Sequence, residues 1–448
     1  MSLEEEDDVL RAAPARLGPR SFRGSRGFIR EPVLELVARA GGRAAAHTLA
    51  SSRNAGAPAR GLARSLSRTT KPLPLAQAPL PARGSVLVGA LLIAALSLTG
   101  LSGCATAPSA DGSGSPTTST GAPLEPPARP NAQMQAVLDQ LSAFGNAPIV
   151  NLSAPAARAQ PMPADAVRAV LQAQGRSTLP EVVERVENNF ILGPDANAMP
   201  VRVYWPAGEG PHPVLVWFHG GGWVIGDLER GDAAARALTN AARVIVVAPH
   251  YRQGPEHRFP AAHDDAYMAY LWTLANAASF GGDPARVAVG GEDAGGNLAA
   301  SVAIRARDQR AAPPVHQLLV SPVTDVSLDT LSHRRHVDAR PLSTAMLPWF
   351  YSQYLRSPIE GADPAFSVLR TSDLKGLPSA TVITADIDPL RSEGRAYADR
   401  LREAGVAADY RNHEGVSHGF FGMGAVVDAG REAVEQAARG LRQAFDRR

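Results

Sequence analysis

Short apolar runs without alternation constrain this chain more than any other feature of its sequence. VLVWF at 214–218 and VIVV at 244–247 put apolar side chains on both faces of an extended segment, which suits only a strand covered on both sides. Further runs at 201–204, 287–289, 318–320 and 381–384 also read as strands, and helical stretches separate them. Alternating strands and helices imply a mostly parallel central sheet flanked by helices, an α/β fold. Upstream, Met134, Val137, Leu138 and Leu141 recur at helical spacing, and a second helix is expected from about 164 to 174, with Pro163 and Asp165 near its start. Hydrophobic residues make up 45% of the chain, enough for a large core.

The domain expected at 131–448 stands behind a different kind of sequence. Residues 1–84 open with acidic groups and continue in Arg, Ala, Pro and Ser without a period, as a non-globular leader or an extension upstream of the true start would. Residues 85–101, SVLVGALLIAALSLTGL, carry no charge, follow Arg83 and run into Ser102, Gly103 and Cys104. A positive flank, an apolar stretch and small residues are the marks of a secretory signal; an uncleaved membrane helix is the alternative. Cys104 is the chain's one cysteine, so no disulfide forms within the chain. LSGC also resembles the lipobox of bacterial lipoproteins, which implies acylation at Cys104 and a lipid-anchored protein in a bacterial cell envelope, facing the periplasm. The Ser/Thr/Gly/Pro-rich stretch at 105–130 would be its tether.

Lys+Arg 45 against Asp+Glu 43 leaves a net charge of +2, which argues against a nucleic-acid surface or a large acidic partner. A small-molecule substrate is the expected partner, and composition sets no oligomeric state. His250, His257 and His263 are scattered through one region rather than spaced as metal ligands, so neither a metal nor a cofactor is expected.

Four motifs carry chemistry. His219-Gly220-Gly221-Gly222-Trp223 follows VLVWF directly, and consecutive glycines at a strand end let backbone N–H groups face a cavity. VAVGGEDAGGNLAA is a strand, a glycine turn and a helix, with Gly291 and Gly295 two residues either side of Asp293. ITADIDPLRSEG and HEGVSHGFFGM follow near the C-terminus. Together these resemble the hormone-sensitive lipase family of α/β-hydrolases, whose members include carboxylesterases. The resemblance covers roughly residues 180–445 and implies an α/β-hydrolase fold with a small helical cap. It implies oxyanion-hole N–H groups from Gly221, Gly222 and Ala294, with Asp388 as the acid, ahead of its neighbour Asp386, and His418 as the base. Tyr251-Arg252 with Pro255-Glu256-His257, FPAAHDDAY and Pro322-Val323-Thr324-Asp325 match as structural segments, although the usual Y-R-L-A-P-E reads YRQGPE. The N-terminal helices and PLSTAMLPWFYSQYL resemble the cap, where Met346, Trp349 and Phe350 are either pocket walls or ordinary core.

One position departs from the family pattern: G-x-S-x-G reads Gly291-Glu292-Asp293-Ala294-Gly295. A carboxylate is already ionised at neutral pH, and its attack on an ester carbonyl would give a reactive mixed anhydride. Its charge should also raise the pKa of His418. Three readings stay open: a nucleophile toward saturated carbon, as in α/β-hydrolases that open epoxides or displace halide; a ligand- or partner-binding module that no longer turns over; and a serine esterase altered at one position. The intact acid, histidine and glycine loop favour a hydrolase.

Overall fold

A computed structural model describes residues 128–447, which fall within one structural unit, Pro123–Arg448. The leader at 1–84, the signal segment at 85–104 with Cys104, and the tether as far as residue 127 lie outside the described residues. The strands are β1 (Arg185–Leu192), β2 (Ala198–Trp205), β3 (His212–Phe218), β4 (Ile245–Pro249), β5 (Gly282–Glu292), β6 (His316–Val320), β7 (Ser379–Ile387) and β8 (Ala408–Ser417). They form one sheet in the order β1-β2-β4-β3-β5-β6-β7-β8. From β4 across to β8 every pairing is parallel, while β1 with β2 and β2 with β4 are antiparallel.

The missing alternation in VLVWF has a direct structural cause. Val214, Val216 and Phe218 enter one core, and Leu215 and Trp217 enter another on the opposite face. Strand β4 repeats the division, with Ile245 and Val247 on the first side and Val246 and Ala248 on the second. Burying an aliphatic side chain of this size is worth roughly 1.5–3 kcal/mol, so a strand buried on both faces gains from every residue.

The first core is covered by α5 (Ala261–Asn276), α6 (Ala294–Asp308) and α9 (Arg391–Glu403), and the second by α4 (Asp232–Ala242) and α10 (Asp428–Phe445). The expected N-terminal helices are α1 (Ala132–Ala143) and α3 (Pro163–Ala173), with the short α2 (Ala154–Arg158) between them. Asn131 caps α1 by accepting from Met134 N at 2.9 Å, and Asp165 returns its side chain to Met162 N at 2.7 Å at the start of α3. The remaining helices are α7 (Leu331–Arg335) and α8 (Leu347–Tyr354). Among the described residues no helix is long and apolar enough to cross a membrane.

All six expected strands are present. The two edge strands β1 and β8 were not expected, because their sequences, RVENNFIL and ADYRNHEGVS, are polar and largely uncovered. Only Ile191 of β1 is buried, and the strand is held by backbone pairing from Arg185 opposite Trp205 to Leu192 opposite Ala198. Edge strands need no apolar pattern to complete a sheet.

Candidate active site

Strand β5 ends at Glu292 and α6 begins at Ala294, so Asp293 alone makes the turn. Its backbone sits at φ 57 and ψ −120, a region that non-glycine residues enter only when their surroundings force it. The surroundings do so through Asp293 N donating to Val320 O at 2.9 Å, while Asp293 O accepts from Asn297 N at 3.1 Å and Val323 N at 3.2 Å. The flanking glycine is needed for space, since a Cβ on Gly295 would stand 2.0 Å from Phe218 O. A tight strand-turn-helix of this kind lifts the apex side chain out of the sheet and over the N-terminus of α6, where unpaired helical N–H groups favour negative charge.

The glycine loop after β3 comes to meet that apex. Gly221 has φ +118, and a Cβ there would lie 2.1 Å from Ile225 O. Gly221 N and Gly222 N both donate to Asp293 Oδ2, each at 2.8 Å. Ala294, fully buried at the first position of α6, has an N–H with no acceptor inside the helix and completes the set of residues expected to form the hole. The N–H groups expected to receive a substrate oxygen therefore hold a side-chain carboxylate.

Asp388 and His418 meet as expected. His418 Nδ1 lies 2.9 Å from Asp388 Oδ2, which also accepts from Ser321 Oγ at 2.7 Å, while Leu390 N donates to Oδ1 at 2.9 Å. Burial alone would raise the Asp388 pKa, but the His418 charge and these donors hold it below the usual carboxylate range. Asp386, the neighbouring alternative, pairs instead with Arg391 at 2.7 Å. Burial also works against a charged His418, yet the Asp388 charge and hydrogen bond, with Asp293 and Glu292, raise it to about 9. At neutral pH the imidazole is mostly protonated. Glu292 shifts as well, to about 7, chiefly because burial disfavours its charge.

These groups open into a cavity of about 650 Å³. Its floor includes Gly221, Gly222, Glu292, Asp293 and His418, and its upper walls come from the end of α1, the loop before α3 and the segment around α8. Met346 and Phe350 line it. Trp349 does not; it packs edge-on against Phe350 at 5.1 Å and donates to Leu152 O at 3.1 Å, tying α8 to the N-terminal segment. Arg340 makes a second tie, donating to Ser142 Oγ at 2.7 Å. The cap is thus assembled from two stretches distant in sequence.

Several supporting residues gave no sequence signal of their own. Ser321 is one, because a lone serine after a strand has no pattern to mark it. A second group runs from Tyr354 through His263 to Asn297: His263 Nδ1 is 2.9 Å from Tyr354 OH and its Nε2 is 3.0 Å from Asn297 Oδ1. Asn297 then donates to Val323 O at 2.9 Å and Phe366 O at 2.6 Å, bracing the helix that carries the elbow. Burial lowers the His263 pKa to about 4, so this bridge is neutral. Tyr251 OH donates to His219 O at 2.8 Å behind the glycine loop, and Arg252 pairs with the fully buried Asp265 at 2.8 Å. The segments read as structural do serve to hold the site.

Known proteins resemble this chain in sequence and fold. A family profile described as alpha/beta hydrolase fold matches residues 215–422. The chain is 42% identical over 269 residues to the carboxylic ester hydrolase LipN of Mycobacterium tuberculosis, a match spanning 58% of this chain and 71% of that protein. It is 39% identical to the carboxylesterase NlhH of the same species over 60% of this chain and 84% of the relative. Among solved structures, the ester-hydrolase EH1AB1 from the metagenome of Lake Arreo superposes with a TM-score of 0.64 at 38% identity, covering 70% of this chain and 99% of the other. With the elbow, the glycine loop and the Asp388–His418 pair in their expected places, this chain belongs to the hormone-sensitive lipase family of α/β-hydrolases and is a hydrolase of the carboxylesterase type.

Proposed function

We propose that Asp293 is the working nucleophile of this hydrolase and that its substrate reacts at a saturated carbon. The observation that carries this reading is the pair of 2.8 Å hydrogen bonds from Gly221 N and Gly222 N to Asp293 Oδ2. They hold one carboxylate oxygen where the negative charge of a tetrahedral intermediate would develop, and Oδ1, which takes no part in them, is the attacking atom. Attack on an epoxide carbon breaks the ring C–O bond, and the freed oxygen takes the proton of the charged His418. Attack on an alkyl halide carbon expels halide, and the imidazole proton passes to solvent. Either leaves an alkyl ester on Asp293 and a neutral His418. His418, oriented by Asp388, then takes a proton from water, whose oxygen adds to the aspartyl carbonyl carbon. The charge gathers on Oδ2 between the glycine N–H groups, and collapse expels the alcohol with the proton from His418. That second half is hydrolysis of a carboxylic ester, the type of reaction named for the relatives.

The electrostatics support the same order of events. Asp293 is one of the charges that keep the His418 pKa near 9. Esterification removes that charge and frees the imidazole to act as a base when it is needed.

The same hydrogen bonds favour a second reading for ordinary esters, namely binding without turnover, since Asp293 fills the position of their carbonyl oxygen. A His418→Gln variant incubated with a panel of epoxides, haloalkanes and short esters decides between the two. A mass increase on the peptide containing Asp293, matching the alkyl group, is the expected result; binding with no adduct across the panel supports the second reading.

We further propose that the mature protein begins at an acylated Cys104 and is lipid-anchored in a bacterial envelope. The uncharged stretch at 85–101, the LSGC that ends it and the tether that follows support this. Intact mass of membrane-extracted protein should show the acylated cysteine, and an unmodified chain starting at Met1 contradicts it.

A further inference from the structure

The Gly221 N–H and the Gly220 carbonyl belong to one planar peptide unit, so whatever fixes the carbonyl also aims the N–H. Gly221 N donates to Asp293 Oδ2 at 2.8 Å, and on the other side of that unit Gly220 O lies 2.8 Å from His219 Nδ1. A carbonyl only accepts, so Nδ1 carries the proton. A neutral imidazole has one N–H, which leaves Nε2 as an acceptor. Facing it at 3.3 Å is His250 Nδ1, which must then be the donor. Burial keeps His219 neutral, with its pKa lowered to about 4. Stacked rings limit its rotation: the Tyr251 ring is centred 4.4 Å away at 16°, and the His250 ring 5.5 Å away at 25°. The Tyr251 hydroxyl donates to His219 O at 2.8 Å, so the peptide unit before Gly220 is tied as well.

We propose that His219 is the positioning residue for the Gly221 N–H, and that His250 holds it in the Nδ1–H tautomer this requires. The proposal rests on the role given above to the Gly221 N–H. Which nitrogen of a histidine carries the proton is set by the hydrogen bond the other one makes. With the proton on Nε2 instead, Nδ1 and Gly220 O would face each other as two acceptors, and the peptide unit would turn its N–H away from Oδ2. Donors aimed before charge develops cost no reorganisation during the reaction, so a turned peptide should show in kcat more than in KM.

Nitrogen NMR of the imidazoles reads the tautomer without any substrate. The native chain should show His219, identified by the signals lost in His219→Asn, with its proton on Nδ1. A neutron crystal structure reads the same proton with no substitution. In His250→Phe, which keeps a flat ring but no donor, part of His219 should pass to the Nε2–H form. The effect on rate is read in the Asp293→Ser background with a short p-nitrophenyl ester. The amide nitrogen of asparagine can take the place of Nδ1, whereas that of glutamine reaches the place of Nε2. His219→Gln should therefore lower kcat at least about tenfold with KM within about twofold, part of the loss seen when an oxyanion donor is removed. His219→Asn should recover most of it. A proton on Nε2 of His219 in the native chain, an unchanged tautomer in His250→Phe, or equal kcat in the two His219 variants overturns the proposal. No ester hydrolysis in Asp293→Ser would count against the role of the Gly221 N–H itself, and the tautomer then decides the proposal by itself.

Discussion

The backbone N–H of Gly222 donates to Asp293 Oδ2 at 2.8 Å, the same distance as the bond from Gly221. An ester carbonyl oxygen therefore meets a site already filled by the side chain that stands where the family has serine. Replacing Asp293 by Ser should empty the hole and restore a hydroxyl that His418 can deprotonate. Hydrolysis of a short p-nitrophenyl ester is expected to rise by at least about a hundredfold, since restoring a nucleophile typically changes rates by orders of magnitude. Equal rates in the two forms would place ester cleavage elsewhere.

The same substitution should move the titration of His418. Asp293 is one of the charges that lift its pKa to about 9. Losing that charge lowers the midpoint, so the neutral base becomes available at lower pH and any rate that depends on it rises earlier on the pH axis. Nitrogen NMR of the imidazole should show a midpoint near 9 in the native chain and a lower one in Asp293→Ser. Coincident midpoints would mean that Asp293 does not act on His418 electrostatically.

The elbow is predicted to be intolerant of volume. With the Cβ of an alanine at position 295 placed 2.0 Å from Phe218 O, either β3 or α6 must shift. Gly295→Ala should cost about 3 kcal/mol or more in denaturant unfolding, the upper range for overpacking. An unchanged midpoint of unfolding would show that the turn is looser than described.

Bracing of α6 is expected to come from Asn297 as much as from packing. Asn297→Ala strands His263 Nε2 and the carbonyls of Val323 and Phe366, which are its three partners. Leaving buried polar groups unpaired costs roughly 1–3 kcal/mol each, reduced where the site relaxes. Thermal unfolding should therefore shift down by several degrees, with activity falling alongside; stability equal to the native protein would argue against the bridge.

Much of this site is legible in the sequence, for a physical reason. Gly221, Gly295 and Asp293 lie where close backbone approach or a sharp turn restricts which residues fit, so their motifs stand out, whereas Asp388 and His418 are legible only through the family resemblance of the segments that carry them. Residues that act through tertiary hydrogen bonds leave no such trace. Ser321 reaches Asp388 across 67 positions, and His263 reaches Tyr354 across 91. Glu292 occupies the variable position of the elbow motif, where any residue type would have been read past. The central strands announced themselves by burial on both faces, whereas β1 and β8 carry polar edge sequences and were found only by their pairing.

The most direct test of Asp293 as nucleophile is a single turnover in water labelled with oxygen-18. Once the substrate panel has yielded a reacting compound, enzyme in excess converts it once, and the peptide containing Asp293 is weighed. Water that attacks the aspartyl carbonyl leaves its oxygen in the Asp293 side chain, so the account predicts label there and none in the first-formed alcohol. Label in the product with none in Asp293 would mean that water attacks the substrate directly, and would contradict it.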